Sequence, residues 1–126
     1  MHATSAGLWA DKGKPADGTA LRVARSFGVD LAAHRSRTPD ELEFSSGDLV
    51  VVFEPKHLSA FASRSGSGND VQATLLGLWS PRAKWVYIHD PYGSSELYFR
   101  ACFDRINEGV RVLLSHRQGA RNGRLA

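Results

Sequence analysis

The sequence predicts a single α/β domain, on three observations. Asp48-Leu49-Val50-Val51-Val52-Phe53 is a continuous apolar, β-branched run, the pattern of a strand buried on both faces of a parallel sheet. Apolar residues recur at helical spacing on either side of it, over residues 16–27 and from residue 95 onward. The resulting order of strand, helix, helix, strand, helix, strand, helix is that of an α/β chain. At 126 residues the chain is long enough for one core and too short for two.

The local signals, taken in order, support each element. Ser5-Ala6-Gly7-Leu8 is short and small, the remnant of a strand or its exit, and Asp11-Lys12-Gly13-Lys14-Pro15 reads as a loop. Ala16, Ala20, Val23, Ala24 and Phe27 then mark an amphipathic helix over about residues 16–27, with Pro15 at its N-terminus and Gly28 at its C-cap. A polar stretch, Ala33-His34-Arg35-Ser36-Arg37, leads to Thr38-Pro39-Asp40-Glu41. An N-cap residue, a proline at the first helical position and acids in the first turn predict a short helix to about Phe44.

After the run at 48–53, Pro55 opens a helix with Leu58 and Phe61 facing inward, and Arg64 to Asp70 is a glycine- and serine-rich loop. Val71 to Leu78 predicts a short strand or strand-like connector. Trp85-Val86-Tyr87-Ile88 predicts the last strand. Gly93 turns the chain and Ser94 stands ready to cap the final helix, in which Phe99, Phe103, Ile106, Val110 and Leu113 define about five turns. No internal repeat is present.

Composition excludes several classes. No apolar run approaches the ~20 residues of a membrane span. The first residues lack the basic start and apolar middle of a signal peptide. A single cysteine, Cys102, rules out an intrachain disulfide framework, so the expected location is cytoplasmic. The formal charge of +3 is equalled by Arg117, Arg121 and Arg124, which lie beyond the last apolar helix residue. With no aromatic residues among the basic ones, a base-stacking surface is not expected. The histidines show no ligand spacing, and Ser65-Gly66-Ser67-Gly68 lacks the lysine-serine ending of a P-loop. No metal, cofactor, nucleic acid or membrane partner is therefore expected.

Asp90 is the residue of chemical interest. It follows the apolar run 85–88 and is held by Pro91, and strand ends are where α/β proteins gather ligand-binding and catalytic groups. The structural alternative is a turn-forming aspartate before proline.

The residues carry a resemblance. Ser5-Ala6-Gly7-Leu8, Gly13-Lys14-Pro15-Ala16-Asp17, Gly28-Val29-Asp30-Leu31, His34-Arg35-Ser36-Arg37, Asp48-Leu49-Val50-Val51-Val52 and Asp90-Pro91-Tyr92-Gly93 fall in the order and spacing of low-molecular-weight protein tyrosine phosphatases, bacterial branch. The likeness runs to about Leu114. It implies a flavodoxin-like three-layer α/β/α sandwich with a short parallel sheet. Arginine phosphatases and arsenate reductases share that fold, and a relative of either is the less favoured functional alternative.

The family implies a loop Cys-x-x-x-x-x-Arg-Ser whose thiolate attacks phosphorus, while backbone N–H groups and the arginine hold the equatorial oxygens. An aspartic acid on the Asp-Pro loop protonates the leaving oxygen and then activates water. By resemblance Asp90 takes that role, Tyr92 and Trp9 line the substrate cleft, and Ser5 and His34 support the phosphate loop. Relative to the family, this sequence is expected to start after the first strand, the nucleophile loop and the first helix. Cys102 does not replace the nucleophile: the residue six positions on is Glu108, not arginine. It reads as a small helix-packing residue.

The expectation is a phosphatase-like domain over residues 1–115 with a basic flexible tail at 116–126, inactive as this chain for want of a nucleophile. The alternative is a non-catalytic interaction module or pseudophosphatase. Without its central strand the sheet would leave unpaired groups. The chain is therefore expected to associate with itself or a full-length relative, to close its sheet around the gap, or to fold poorly.

Overall fold

A computed structural model describes residues 1–64, 71–80 and 86–121. The element order is helix α1 (Gly18–Ser26), a 3₁₀ turn (Pro39–Glu41), strand β1 (Leu49–Val52), helix α2 (Pro55–Arg64), strand β2 (Gln72–Leu75), a second 3₁₀ turn (Leu76–Trp79) and helix α3 (Glu96–Arg121). The strands pair in parallel, Leu49 opposite Gln72 through Val52 opposite Leu75. The loop predicted at 64–70 lies, beyond Arg64, outside the described residues.

Before α1 the chain forms no strand. Instead residues 7–15 run beside 35–37: Gly7 N–H donates to Arg37 C=O at 2.8 Å and Gly13 N–H to Ser36 C=O at 2.8 Å. Pro15 forms an antiparallel bridge with Arg35. Pro15 is thus spent on this pairing, and α1 starts later, at Gly18, capped by Asp17, whose Oδ2 accepts the N–H groups of Thr19 and Ala20. The helix ends as expected at Gly28. Gly28 N–H reaches Arg25 C=O at 3.0 Å, Val29 N–H reaches Ala24 C=O at 2.9 Å, and φ at Gly28 is 78°, a Schellman ending.

The helix predicted after Thr38 shrinks to one 3₁₀ turn, closed by a capping box in which Thr38 N–H donates to Glu41 Oε2 at 2.7 Å. β1 is not buried on both faces. Val52 is buried, but Val51 is 38% exposed. Among the described residues β1 has β2 as its one strand partner, and α2 is the helix packed on it, so the cover on both faces that a continuous apolar run implies is missing.

The strand predicted at 85–88 is corrected. Trp85 lies outside the described residues, and Val86–Ile88 carries one ladder-like bond, from Ile88 N–H to Phe53 C=O at 3.0 Å. The neighbouring backbone is taken by side chains of α3. Arg105 Nη1 donates to Tyr87 C=O at 2.7 Å, and Cys102 Sγ to His89 C=O at 3.6 Å.

Ser95, one residue beyond Ser94, caps α3, its Oγ accepting Tyr98 N–H at 3.2 Å. The helix then runs for 26 residues, past the expected boundary at 115 and through Arg121. Residues 116–121 of the predicted tail are thus helical. It packs on the turn Leu76–Trp79 and on α1, where Phe27 stacks on Phe103 at 5.5 Å and Arg22 pairs with Glu96. The core sits where α3 meets the second turn: Leu76, Ile88 and Cys102, with Ile106 against them. Among the described residues no helix is long and apolar enough to cross a membrane.

Candidate active site

The Asp90 turn is built by its own residues. Asp90 Oδ1 accepts Tyr92 N–H at 3.0 Å, and Ser94 N–H donates to Pro91 C=O at 2.8 Å. Gly93 has a φ of 78°, which glycine adopts without steric cost. Asp90 and Tyr92 are exposed, Tyr92 by 74%. The carboxylate therefore stands at a rigidly turned surface position rather than in a buried pocket.

Behind this turn lies Cys102, 5% exposed. Burial pushes its thiol up from the ordinary cysteine range. Tyr98 and Arg105 pull the other way, and the Asp90 charge adds to the rise. A buried, protonated thiol bonded to a backbone carbonyl is a packing group, not a nucleophile.

Trp9 is exposed and stands over the first turn of α2. Its ring centroid is 5.7 Å from that of His57, and Lys56 Nζ sits 5.7 Å from it. The first turn of α2 leads in turn to the Asp90 loop, because Glu54 Oε1 lies 3.5 Å from His89 Nδ1. A continuous line of contacts thus runs from Trp9 through His57 and Glu54 to His89, the residue before Asp90.

Ser5 and His34 are elsewhere. Ser5 is exposed in the N-terminal loop. His34 is half-buried, its N–H on Leu31 C=O at 3.1 Å and its C=O accepting from Arg35 Nη1 at 2.7 Å. Among the described residues neither makes a contact that reaches the Asp90 loop.

Sequence reasoning passed over Glu54 and His89. Glu54 had a usable signal: a carboxylate at the C-terminal end of a strand, immediately before a helix, is in a position where α/β proteins place ligand groups. His89 had none beyond its adjacency to Asp90.

Comparison with known proteins identifies the family and the fold. The family model described as low molecular weight phosphotyrosine protein phosphatase matches residues 1–122. The Escherichia coli K12 low molecular weight protein-tyrosine-phosphatase Wzb is 29% identical over 111 residues, covering 88% of this chain and 73% of the relative. The probable phosphatase AmsI of Erwinia amylovora is 33% identical over 99 residues, covering 79% of this chain and 66% of the relative. The crystal structure of Erwinia amylovora AmsI superposes with a TM-score of 0.72 at 28% identity, over 88% of this chain and 71% of that one. Vibrio vulnificus Wzb, solved with benzylphosphonate, gives 0.66 at 27% identity, over 90% and 77%. The fold is thus the flavodoxin-like α/β fold of these structures, with a short parallel sheet, and the chain belongs to the low molecular weight phosphotyrosine protein phosphatase family.

Proposed function

We propose that these 126 residues carry the proton-donor side of a phosphotyrosine phosphatase site and, by themselves, turn over no phosphomonoester. Asp90 is the general acid. A phenolate leaves poorly because its conjugate acid has a pKa of about 10, so a proton delivered by a carboxylic acid lowers the barrier. Asp90 is exposed, open to the leaving oxygen of an ester at the site. Trp9 and Tyr92 are the aromatic walls, and the benzylphosphonate bound to the Vibrio relative supports an aromatic phosphate monoester as the substrate class. Ser5 and His34 are assigned to holding the phosphate loop. Cytoplasmic location is supported by the lone reduced cysteine.

One observation carries the claim of inactivity. The chain's single sulfur nucleophile is Cys102, and it is buried in α3 with its thiol on His89 C=O. The test is hydrolysis of p-nitrophenyl phosphate by this chain. The expected rate equals that of the Cys102→Ser variant and of buffer. Turnover that Cys102→Ser abolishes would refute the reading.

A second reading, a non-catalytic interaction module, is favoured by the exposure of Val51 and Phe53 on and beside β1. An uncovered apolar strand edge is a template for pairing with another chain, either a second copy or a full-length relative. Sedimentation over a concentration series decides: a monomer with a cooperative melt at all concentrations removes this reading.

A further inference from the structure

The backbone and the carboxylate of Glu54 have different partners at the start of α2. That turn uses the backbone of Glu54: its C=O accepts His57 N–H at 2.9 Å, and its N–H donates to His57 Nδ1 at 3.2 Å. The carboxylate instead points both ways across the site. Oε2 lies 3.4 Å from Lys56 Nζ, which stands over Trp9. Oε1 lies 3.5 Å from His89 Nδ1. The Glu54 side chain is 15% exposed, whereas those of Lys56 and His89 are both 63% exposed. The shielded member of the trio is therefore the acid, and the two more exposed side chains close onto it.

We infer that Glu54 is a positioning residue for Asp90, holding the Asp90 loop against the first turn of α2 through the His89 side chain. The surrounding contacts are consistent with a tether. Residues 87–89 are each held through the backbone: Tyr87 C=O and His89 C=O by Arg105 and Cys102 of α3, and Ile88 N–H by Phe53 C=O beside β1. The Glu54 contact is the one among these made by the His89 side chain and directed at α2 rather than α3. It fixes the lateral position of the residue bonded to Asp90, and by the same carboxylate it sets the spacing between that loop and Trp9. The charged and titratable groups around the pair are Lys56 and His57 on α2 and Tyr98, Cys102 and Arg105 on α3.

The positioning role rests on the reading of Asp90 as the proton donor, but its test reads the loop backbone and so succeeds or fails separately. The experiment is amide hydrogen exchange by NMR on the full chain, comparing wild type, Glu54→Gln, His89→Ala and the double variant. Each single change is expected to speed exchange at Ile88 by about two- to fivefold, the scale of one partly exposed ion pair, and to shift the Tyr92 amide resonance. The double variant is expected to add nothing to the larger single effect, while amides of Val23 and Leu113 stay unchanged. Unchanged Ile88 exchange in Glu54→Gln, or additive effects in the double variant, overturns the inference. If Glu54→Gln loosens the whole chain, Glu54→Asp decides: recovery of Ile88 protection supports the tether, and no recovery overturns it.

Discussion

Gly77 is the position at which one methyl group would move the proposed proton donor. A Cβ built there would meet Val86 O at 2.0 Å, Val86 C at 2.5 Å and Val86 Cα at 2.9 Å, whereas real Cβ contacts essentially never fall below 3.0 Å. All three atoms are backbone, so no rotamer change relieves the clash. In Gly77→Ala the chain at Val86 must retreat by about 1 Å or more, and Val86 begins the segment that delivers Asp90. Ile88, which is 4% exposed in the core with Leu76 and Cys102, is dragged with it, straining its bond to Phe53 C=O. Overpacking that only backbone movement can relieve costs about 3 kcal/mol. For a chain of this length the unfolding entropy makes that roughly 10 °C in melting temperature. Gly109→Ala is the internal comparison. There the Cβ meets Leu76 Cγ at 3.0 Å and Leu76 O at 3.2 Å, contacts that a few tenths of an ångström of movement relieve, and the helix gains about 0.8–1 kcal/mol of propensity, so a net change within about 1 kcal/mol is expected. Thermal melts followed by circular dichroism, with the Ile88 amide followed by NMR, provide the assay. A Gly77→Ala chain that melts within 2 °C of wild type (on the order of 0.5 kcal/mol) with an unmoved Ile88 amide would refute the packing argument.

Two further outcomes follow from the structure. Asp17→Ala removes the side-chain cap of α1 and is expected to cost about 1 kcal/mol, read by urea melts; Asp17→Ser should restore most of it, and equal stability of all three chains would contradict the cap. Burial raises the Cys102 thiol, so the folded chain should react with iodoacetamide at pH 8 at least about tenfold more slowly than an unfolded control. The linkage has the same sign: the unfolded thiol ionises first, so stability should fall as pH rises above about 8.5. Burial also raises Tyr98, which extends that loss to higher pH. Labelling at the rate of the unfolded control, or a melt unchanged between pH 7.5 and 9.5, would contradict the buried position.

Helix α1, its ending at Gly28 and the turn after Asp90 were legible because short-range chemistry decides them. Gly28 and Gly93 act on backbone groups within a few residues, whereas the Asp17 cap was missed because Pro15 reads as the helix start and is instead drawn into a bridge with Arg35. The overrun of α3 past Leu113 was not legible in apolar spacing, because there the helix meets a partner distant in sequence, His116 against the Trp79 ring at 5.0 Å, and carries no further apolar repeat. The last strand was misread for a different reason. Val86-Tyr87-Ile88 has the composition of a strand, yet Arg105 and Cys102 compete for its carbonyls, and local patterning carries no record of such distant partners. The same limit separates Asp90, visible through its Asp-Pro-Tyr-Gly setting, from the Glu54–His89 pair, which exists only once β1, α2 and the Asp90 loop have come together.

The pinning of Tyr87 and His89 by α3 side chains has a mechanical consequence. A strand locked into a ladder can change register only in whole residues, and a single step turns every side chain to the opposite face. A segment suspended from an arginine and a thiol is free of that quantisation. With Ile88 N–H anchored on Phe53 C=O, its height and tilt are tuned by the lengths of two side chains, so substitutions on the helix can trim the reach of the carboxylate in fractions of an ångström while the sheet beneath stays as it is.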